Sequence, residues 1–148
     1  MNKIIFVCTG NTCRSPMAEI ILKKLLKDAN VKGVKISSAG LMATDGDKMS
    51  ENSKIALKKL GFRLYGFKSK LLTADMVKKA DMVLCMTNSH KRSLVGFNNV
   101  YTLAEVTNTY DVSDPYGLGV EDYVKTANQI KLACEIIVKE IKKVRGEE

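Results

Sequence analysis

Short apolar runs alternate with longer segments whose apolar side chains recur at helical spacing. The short runs 3–7, 34–38, 81–86 and 100–103 are rich in apolar and β-branched residues, which is typical of buried strands. The last long segment, 121–144, keeps a spacing of three to four residues along the stripe Tyr123, Ala127, Ile130, Cys134, Ile137, Ile141 and Val144. The pattern therefore predicts strands separated by helices, with a long C-terminal helix.

Helix boundaries are marked by residues that cap helix ends. Ser15 followed by Pro16 predicts a helix that begins there and continues to about residue 28, and Ser50 predicts one that stops at Gly61. Thr73 opens a short helix, and 87–95 is expected to be helical. Alternating strands and helices predict one α/β domain over residues 1–148, a parallel four-stranded sheet between two layers of helices. In such sheets ligands bind at the carboxyl ends of the strands.

Composition and charge narrow the functional classes. No apolar run approaches the ~20 residues of a membrane span, and the start MNKIIFVC is too short for a signal peptide, so we expect a cytoplasmic protein without a membrane partner. The net charge of +8 fits either solvated lysine faces or attraction of anionic partners. No nucleic-acid-binding motif accompanies it. With one histidine and no paired C-x-x-C motifs, we expect no metal and no cofactor.

The first strand leads directly into a loop that carries two cysteines and an arginine, Cys8-Thr9-Gly10-Asn11-Thr12-Cys13-Arg14-Ser15. Such a loop can curl so that successive backbone N–H groups point to one centre, and glycine and asparagine tolerate the positive φ angles that the curl requires. The helix predicted to begin at Ser15 adds the partial positive charge of its N-terminus. Together these features predict an anion-binding nest of phosphate size.

Two side chains give this nest its expected chemistry. Arg14 can grip two phosphate oxygens with parallel hydrogen bonds, which a lysine cannot do. Cys8 at the floor then faces the phosphorus atom as a nucleophile, and the Ser15 hydroxyl can donate to its thiolate. The alternative is a buried cysteine in an ordinary strand–helix turn. The preceding strand, the Gly-Asn pair and the Ser-Pro helix start favour the phosphate site.

The stretch VCTGNTCRSPMAE (7–19) resembles the phosphate-binding loop of the low-molecular-weight protein tyrosine phosphatase family, and the resemblance covers nearly the whole chain. Residues 38–40, 80–84 and 114–117 also resemble that family. The resemblance implies a metal-independent phosphatase that forms a phosphocysteine on Cys8, with phosphorylated protein as substrate and inorganic phosphate as product. It implies a phosphate-binding set of Thr9, Gly10, Asn11, Thr12, Cys13, Arg14 and Ser15.

The resemblance also implies that Asp114, in the Asp-Pro pair, is the general acid. From the residues alone this pair fits an ordinary turn before a long helix. The reaction needs a proton donor for the leaving group and then a base for water, and one carboxylic acid can serve both steps. Asp111 is the nearby competitor and ranks below Asp114.

Thr12 is the position that favours one substrate. Tyrosine phosphatases of the family usually carry Ile or Leu there, whereas the hydroxyl of Thr12 suits the polar guanidino group of phosphoarginine. The loop closely resembles that of the protein arginine phosphatases of the family. Tyr116 is followed at once by Gly117 rather than by a second tyrosine, and residues 41–50 contain no aromatic side chain. The sequence therefore predicts a protein arginine phosphatase, with tyrosine phosphatase as the alternative.

The chain departs from the family pattern at Phe67, where many members have a histidine that supports the loop. The only histidine, His90, is expected on a surface helix and outside catalysis. Cys13 is interpreted as the partner of Cys8 in a reversible protective disulfide, with a loop filler as the alternative. Cys85 is interpreted as a structural residue rather than as a relay in an arsenate reductase. A phosphate-dependent binding module without catalysis is the remaining alternative.

Overall fold

Four strands form a parallel sheet in this computed structural model, which describes residues 2–146. Met1, Glu147 and Glu148 of the predicted 1–148 domain lie outside the described residues. The order across the sheet is β2-β1-β3-β4, and the strands are β1 Lys3–Cys8, β2 Lys35–Gly40, β3 Met82–Cys85 and β4 Val100–Thr102. The predicted parallel four-stranded sheet is confirmed, with strand ends shifted by one or two residues.

The described part of the chain contains six helices. They are α1 Arg14–Asp28, α2 Glu51–Lys59, α3 Ala74–Lys79, α4 Asn88–Arg92, α5 Leu103–Thr107 and α6 Val120–Arg145. The predicted caps of two helices are confirmed, since the Ser50 hydroxyl accepts from the Ser53 N–H and the Thr73 hydroxyl from the Met76 N–H. The predicted stripe of α6 is buried through Ile141, whereas Val144 is exposed.

Two helix boundaries and one whole helix differ from the sequence prediction. Helix α1 begins at Arg14 rather than Ser15, and Cys13 stands at its N-cap position without a side-chain cap. The Ser15 hydroxyl instead contacts the Cys8 sulfur and the Asn11 amide, so it does not cap the helix. Helix α4 ends at Arg92 instead of reaching residue 95. Helix α5 was not predicted, although the Thr102–Glu105 capping box at its start is legible in the sequence.

The side chains of β1 alternate between two apolar clusters, one on each face of the sheet. Ile4 and Phe6 pack into the larger cluster, which contains α1, α2 and α6, and Ile5 and Val7 pack into the smaller one with Val77 of α3. Each fully buried side chain of this kind contributes about 1.5–3 kcal/mol to the free energy of unfolding. The predicted three-layer arrangement follows from this burial of both sheet faces.

Strand β1 lies at the point where the strand order reverses. Its neighbours are β2 on one side and β3 on the other, with Cys8 opposite Gly40 and Val7 opposite Cys85. The connections leaving β1 and β3 therefore run to opposite sides of the sheet and leave a crevice at the carboxyl end of β1. Cys8 is the last residue of that strand. No helix within residues 2–146 is both long and apolar enough to cross a membrane.

Candidate active site

The phosphate loop, residues 8–15, turns tightly between β1 and α1. Asn11 has a φ of 56°, as predicted, while Gly10 does not adopt a positive φ. At the tip of this turn, the backbone carbonyl oxygens of Asn11 and Thr12 each accept a hydrogen bond from a neighbouring segment. The Ser69 hydroxyl donates to the Asn11 oxygen at 2.6 Å, and the Ser50 N–H donates to the Thr12 oxygen at 2.8 Å.

Gly40 at the end of β2 lets the phosphate loop lie directly against that strand. A Cβ atom at this position would lie 2.5 Å from the Thr9 oxygen and 2.9 Å from the Asn11 nitrogen. Real Cβ atoms do not approach backbone atoms so closely, so any side chain here would displace the loop. The end of β2 at Gly40 therefore determines where the loop can lie, and we call this contact the template of the loop.

Cys8 is buried at the base of the loop and contacts a polar chain behind it. Its Sγ lies 2.8 Å from the Ser15 Oγ. The Asn11 Nδ2 donates to Ser15 Oγ at 2.8 Å and to Ser38 Oγ at 3.0 Å, and Asn11 Oδ1 accepts from the Lys70 N–H. Because Ser15 Oγ accepts from Asn11, its own hydrogen is available to the sulfur. The arrangement places a hydrogen-bond donor at Cys8.

Arg14 is buried beside the cysteine with its guanidinium held at one end. Nη1 donates to the Val112 oxygen at 3.0 Å, and Nη2 lies 3.6 Å from Asp114 Oδ2. The fixed carbonyl contact orients the planar group, so a phosphoryl group meets donors that need little reorganisation.

Asp114 lies on the segment between α5 and α6, residues 108–119, called here the acid loop. Its side chain is 54% exposed, and its Oδ1 accepts from the Tyr116 N–H at 3.1 Å. The competitor Asp111 instead accepts from the Asn88 N–H at the start of α4 and does not line the cavity above Cys8. Asp114 is the carboxylate of the two that reaches the site.

A cavity of about 270 Å³ joins these groups. Its lining residues are Cys8, Thr9, Gly10, Thr12, Cys13, Arg14, Asp114 and Tyr116, so the predicted nucleophile, clamp, acid and specificity positions share one space. Asn11 and Ser15 of the predicted phosphate-binding set are fully buried and lie outside this lining. A larger cavity of about 560 Å³ is lined by four lysines and none of these residues, so size alone does not identify the site.

His90 contradicts the expectation of an exposed histidine. Its side chain is buried, with Nε2 2.9 Å from the Thr9 Oγ1 and Nδ1 3.1 Å from the Thr87 Oγ1. Burial and then the nearby Arg14 cation lower the pKa of His90. Apolar spacing along the sequence gives no signal for such a contact.

The remaining thiols differ in their surroundings. Cys13 Sγ lies 3.4 Å from Ser50 Oγ and 3.8 Å from Tyr123 Oη at the end of the phosphate loop. Cys85 is fully buried on β3, and burial raises its pKa to about 12, which fits the predicted structural role. Phe67 packs against the larger core cluster and supplies no polar support to the loop.

Comparisons with known proteins agree with this geometry. The model of the low molecular weight phosphotyrosine protein phosphatase family matches residues 3–146. A protein-arginine-phosphatase of Bacillus subtilis is 36% identical over 96% of this chain and 98% of its own length. A low molecular weight protein-tyrosine-phosphatase PtpB of Staphylococcus haemolyticus is also 36% identical, over 86% of this chain and 91% of its own.

Solved structures give the same assignment. The YwlE arginine phosphatase from Geobacillus stearothermophilus superposes with a TM-score of 0.89 at 30% identity, covering 100% of this chain and 97% of that one. A YwlE mutant with a phosphorylated active-site serine has a TM-score of 0.90 at 35% identity, covering 99% of each chain. With the family model spanning almost every residue, the chain belongs to the low molecular weight phosphotyrosine protein phosphatase family.

Proposed function

We propose that this protein removes phosphoryl groups from arginine side chains of phosphorylated proteins through a phosphocysteine on Cys8. The observation that carries the proposal is the shared cavity in which the Cys8 sulfur, the Arg14 guanidinium and the Asp114 carboxyl meet. Thr12 at its wall directs the choice of arginine over tyrosine.

The first chemical step transfers the phosphoryl group to sulfur. The Cys8 thiolate attacks phosphorus in line with the leaving group, an S–P bond forms and the P–N bond of phosphoarginine breaks. Asp114 gives its proton to the departing guanidino nitrogen. Arg14 and the loop N–H groups bind the phosphoryl oxygens while charge is redistributed over them.

The second step returns the enzyme to its starting state. Asp114, now a carboxylate, takes a proton from water, and the resulting hydroxide attacks the phosphorus of phosphocysteine. The S–P bond breaks, inorganic phosphate leaves, and Ser15 donates to the Cys8 thiolate as it departs. The phosphorylated active-site serine in the YwlE mutant supports a covalent route of this kind.

Substrate choice rests on the cavity wall. The Thr12 side chain lines the cavity, with its Oγ1 3.8 Å from Cys13 Sγ. Its hydroxyl can contact a polar guanidino group, whereas the Ile or Leu expected in a tyrosine phosphatase would pack against a phenol ring. Overall identity does not separate the two substrates, because relatives named for arginine and for tyrosine both reach 36%. Tyrosine phosphatase is therefore the second candidate.

The deciding experiment measures phosphate release from an arginine-phosphorylated and a tyrosine-phosphorylated protein side by side. We expect a higher kcat/KM with the arginine-phosphorylated protein and complete loss of both activities in Cys8→Ser. Cys85→Ala is the matched control, since that thiol lies in the core, and it should keep turnover. A preference for phosphotyrosine would select the second candidate. Retained binding without phosphate release in the wild type would indicate a binding module.

Reversible oxidation is part of the same proposal. A peroxide can convert the Cys8 thiolate to sulfenic acid, and the Cys13 thiol can then attack that sulfur, so a disulfide forms and water leaves. We expect peroxide-treated protein to lose two mass units and to regain activity with dithiothreitol. Cys13→Ala should instead be inactivated irreversibly. Equal recovery of both proteins would contradict the protective role.

A further inference from the structure

Glu19 is a buried carboxylate with no place in the reaction described above. It lies in α1, its residue is 5% exposed, and its side chain faces the polar residues behind the phosphate loop. Burying an ionised carboxylate is costly unless donors surround it. Three donors do so: the Ser38 hydroxyl to Oε1 at 2.8 Å, the Tyr65 hydroxyl to Oε2, and Lys23 Nζ to Oε2 at 3.3 Å.

Tyr65 reaches Glu19 from the segment that follows α2. Its hydroxyl accepts from Lys23 Nζ at 3.1 Å, and the same ammonium lies 4.8 Å from the ring centroid. Burial, and then the hydrogen bond and charge of Glu19, raise the pKa of Tyr65, so its hydroxyl stays protonated as a donor. Lys23 and Tyr65 together orient Glu19 Oε2.

The direction of each hydrogen bond links Glu19 to the nucleophile. An ionised carboxylate only accepts, so the hydrogen of Ser38 must point to Glu19 and the Ser38 oxygen accepts from Asn11. The other amide hydrogen of Asn11 points to Ser15, whose own hydrogen is then left for the Cys8 sulfur. Reversing any one bond would reverse or break the next.

We propose that Tyr65 is a positioning residue, which acts through Glu19, Ser38, Asn11 and Ser15 to keep a hydrogen-bond donor directed at Cys8. The inference rests on the proposed function, in which Cys8 is the nucleophile. Tyr65 supplies a hydrogen-bond donor to this chain of residues, whereas Phe67, two residues later, has none to offer. The Tyr65 residue itself is 43% exposed, so its hydroxyl can be removed with little loss of packing.

The test compares Tyr65→Phe with Tyr101→Phe, another partly exposed tyrosine, which lies on β4. We expect Tyr65→Phe to lower kcat by about three- to tenfold with KM unchanged, because the change affects the nucleophile rather than phosphate binding. The acid limb of the kcat/KM profile should move to higher pH, since the thiolate loses support. Tyr101→Phe should match the wild type in all three.

A second readout does not depend on turnover. The rate of Cys8 alkylation by iodoacetamide, located by fragment mass spectrometry, reports the thiolate at each pH. We expect its midpoint to move to higher pH in Tyr65→Phe and further in Glu19→Gln. An unchanged midpoint in Tyr65→Phe overturns the positioning role, as does a lower melting temperature with an unchanged pH profile. Absence of phosphate release from the wild type would instead overturn the proposed function.

Discussion

The two walls of the catalytic cavity are built in opposite ways. On the phosphate loop, Cys8, Asn11, Arg14 and Ser15 are all buried, and each polar side chain has a hydrogen-bond partner. On the acid loop, Asp114 is half-exposed and Tyr116 is 79% exposed. The acid loop is held before Asp114: the Val112 N–H donates to the Met86 oxygen at 3.0 Å and its oxygen accepts from Arg14, while Gln129 donates to the backbone oxygens of Tyr110 and Asp111.

The difference matches the demands of the two roles. Charge stabilisation of a phosphoryl group requires donors that are already in place, so the phosphate loop is held by β2 and by two neighbouring segments. In the proposed mechanism the general acid Asp114 works beside a bulky protein side chain and then a water molecule, and its position on an exposed loop suits both. Changes in the phosphate loop should therefore affect stability and activity together, and changes in the acid loop activity alone.

Asp114→Asn should separate activity from stability most clearly, and it has the largest expected effect on kcat. The amide cannot protonate the leaving nitrogen, so kcat should fall by about 10²- to 10⁴-fold. The substitution removes only a long, half-exposed ion pair with Arg14, so the free energy of unfolding should change by less than about 1 kcal/mol. Steady-state kinetics and urea unfolding measure the two quantities. Asp111→Asn is the control and should keep kcat within about twofold of the wild type.

Gly40→Ala tests whether the phosphate loop depends on its template. The added Cβ must displace the Thr9 oxygen or the Asn11 nitrogen, so we expect a loss of about 1–3 kcal/mol in the free energy of unfolding. The kcat should fall by more than about tenfold, since the donors are displaced with the loop. In the control Gly66→Ala the new Cβ meets nothing within 4 Å. Wild-type kinetics in Gly40→Ala would show that the loop does not need its template.

Thr12→Ile tests whether a side chain on the phosphate loop can change substrate choice without changing stability, as we expect for the acid loop. The backbone of Thr12 is held by Ser50, while its side chain is only partly buried. The ratio of kcat/KM for phosphoarginine over phosphotyrosine should fall by about tenfold with little change in melting temperature. Thr12→Val isolates the loss of the hydroxyl from the added bulk. An unchanged ratio in both variants would remove Thr12 as the selector.

His90→Gln tests how the free energy of unfolding depends on pH, and we expect it to have the smallest effect of the four substitutions. The pKa of His90 is lowered from 6.5 by burial, so the unfolded chain binds a proton more readily than the folded one. Wild-type stability should therefore decrease as pH falls through 6.5 towards the lowered folded value. Urea unfolding at about pH 7.5 and about pH 5.5 should show a smaller difference for His90→Gln. An identical difference would mean that His90 does not contribute to acid sensitivity.

Local sequence patterns were sufficient for the sheet and for most helix ends. Alternation of apolar runs and helical stripes identified all four strands, and the capping roles of Ser50 and Thr73 depend only on residues three positions away. The placement of Cys8 at the end of β1 follows from the same local pattern. These features need no knowledge of distant contacts.

Contacts across the fold could not be predicted in this way. Ser15 looked like a helix cap because its competing partners, Cys8 and Asn11, are brought to it only by the curled loop. His90 and Thr9 are 81 positions apart, and Tyr65 and Glu19 are 46 apart. Polar pairs at such separations leave no periodic signal, so the supports of the loop emerge only from the tertiary structure.

The Thr12 main chain is held by the Ser50 N–H, whereas the Thr12 side chain faces the cavity. Under the proposed role of Thr12 as selector, a substitution there changes which phosphorylated residue is accepted while the catalytic framework stays in place. The same proposal implies that one substitution is enough to change the substrate class without loss of the fold. Proteins named for arginine and for tyrosine at the same distance from this chain fit such a change.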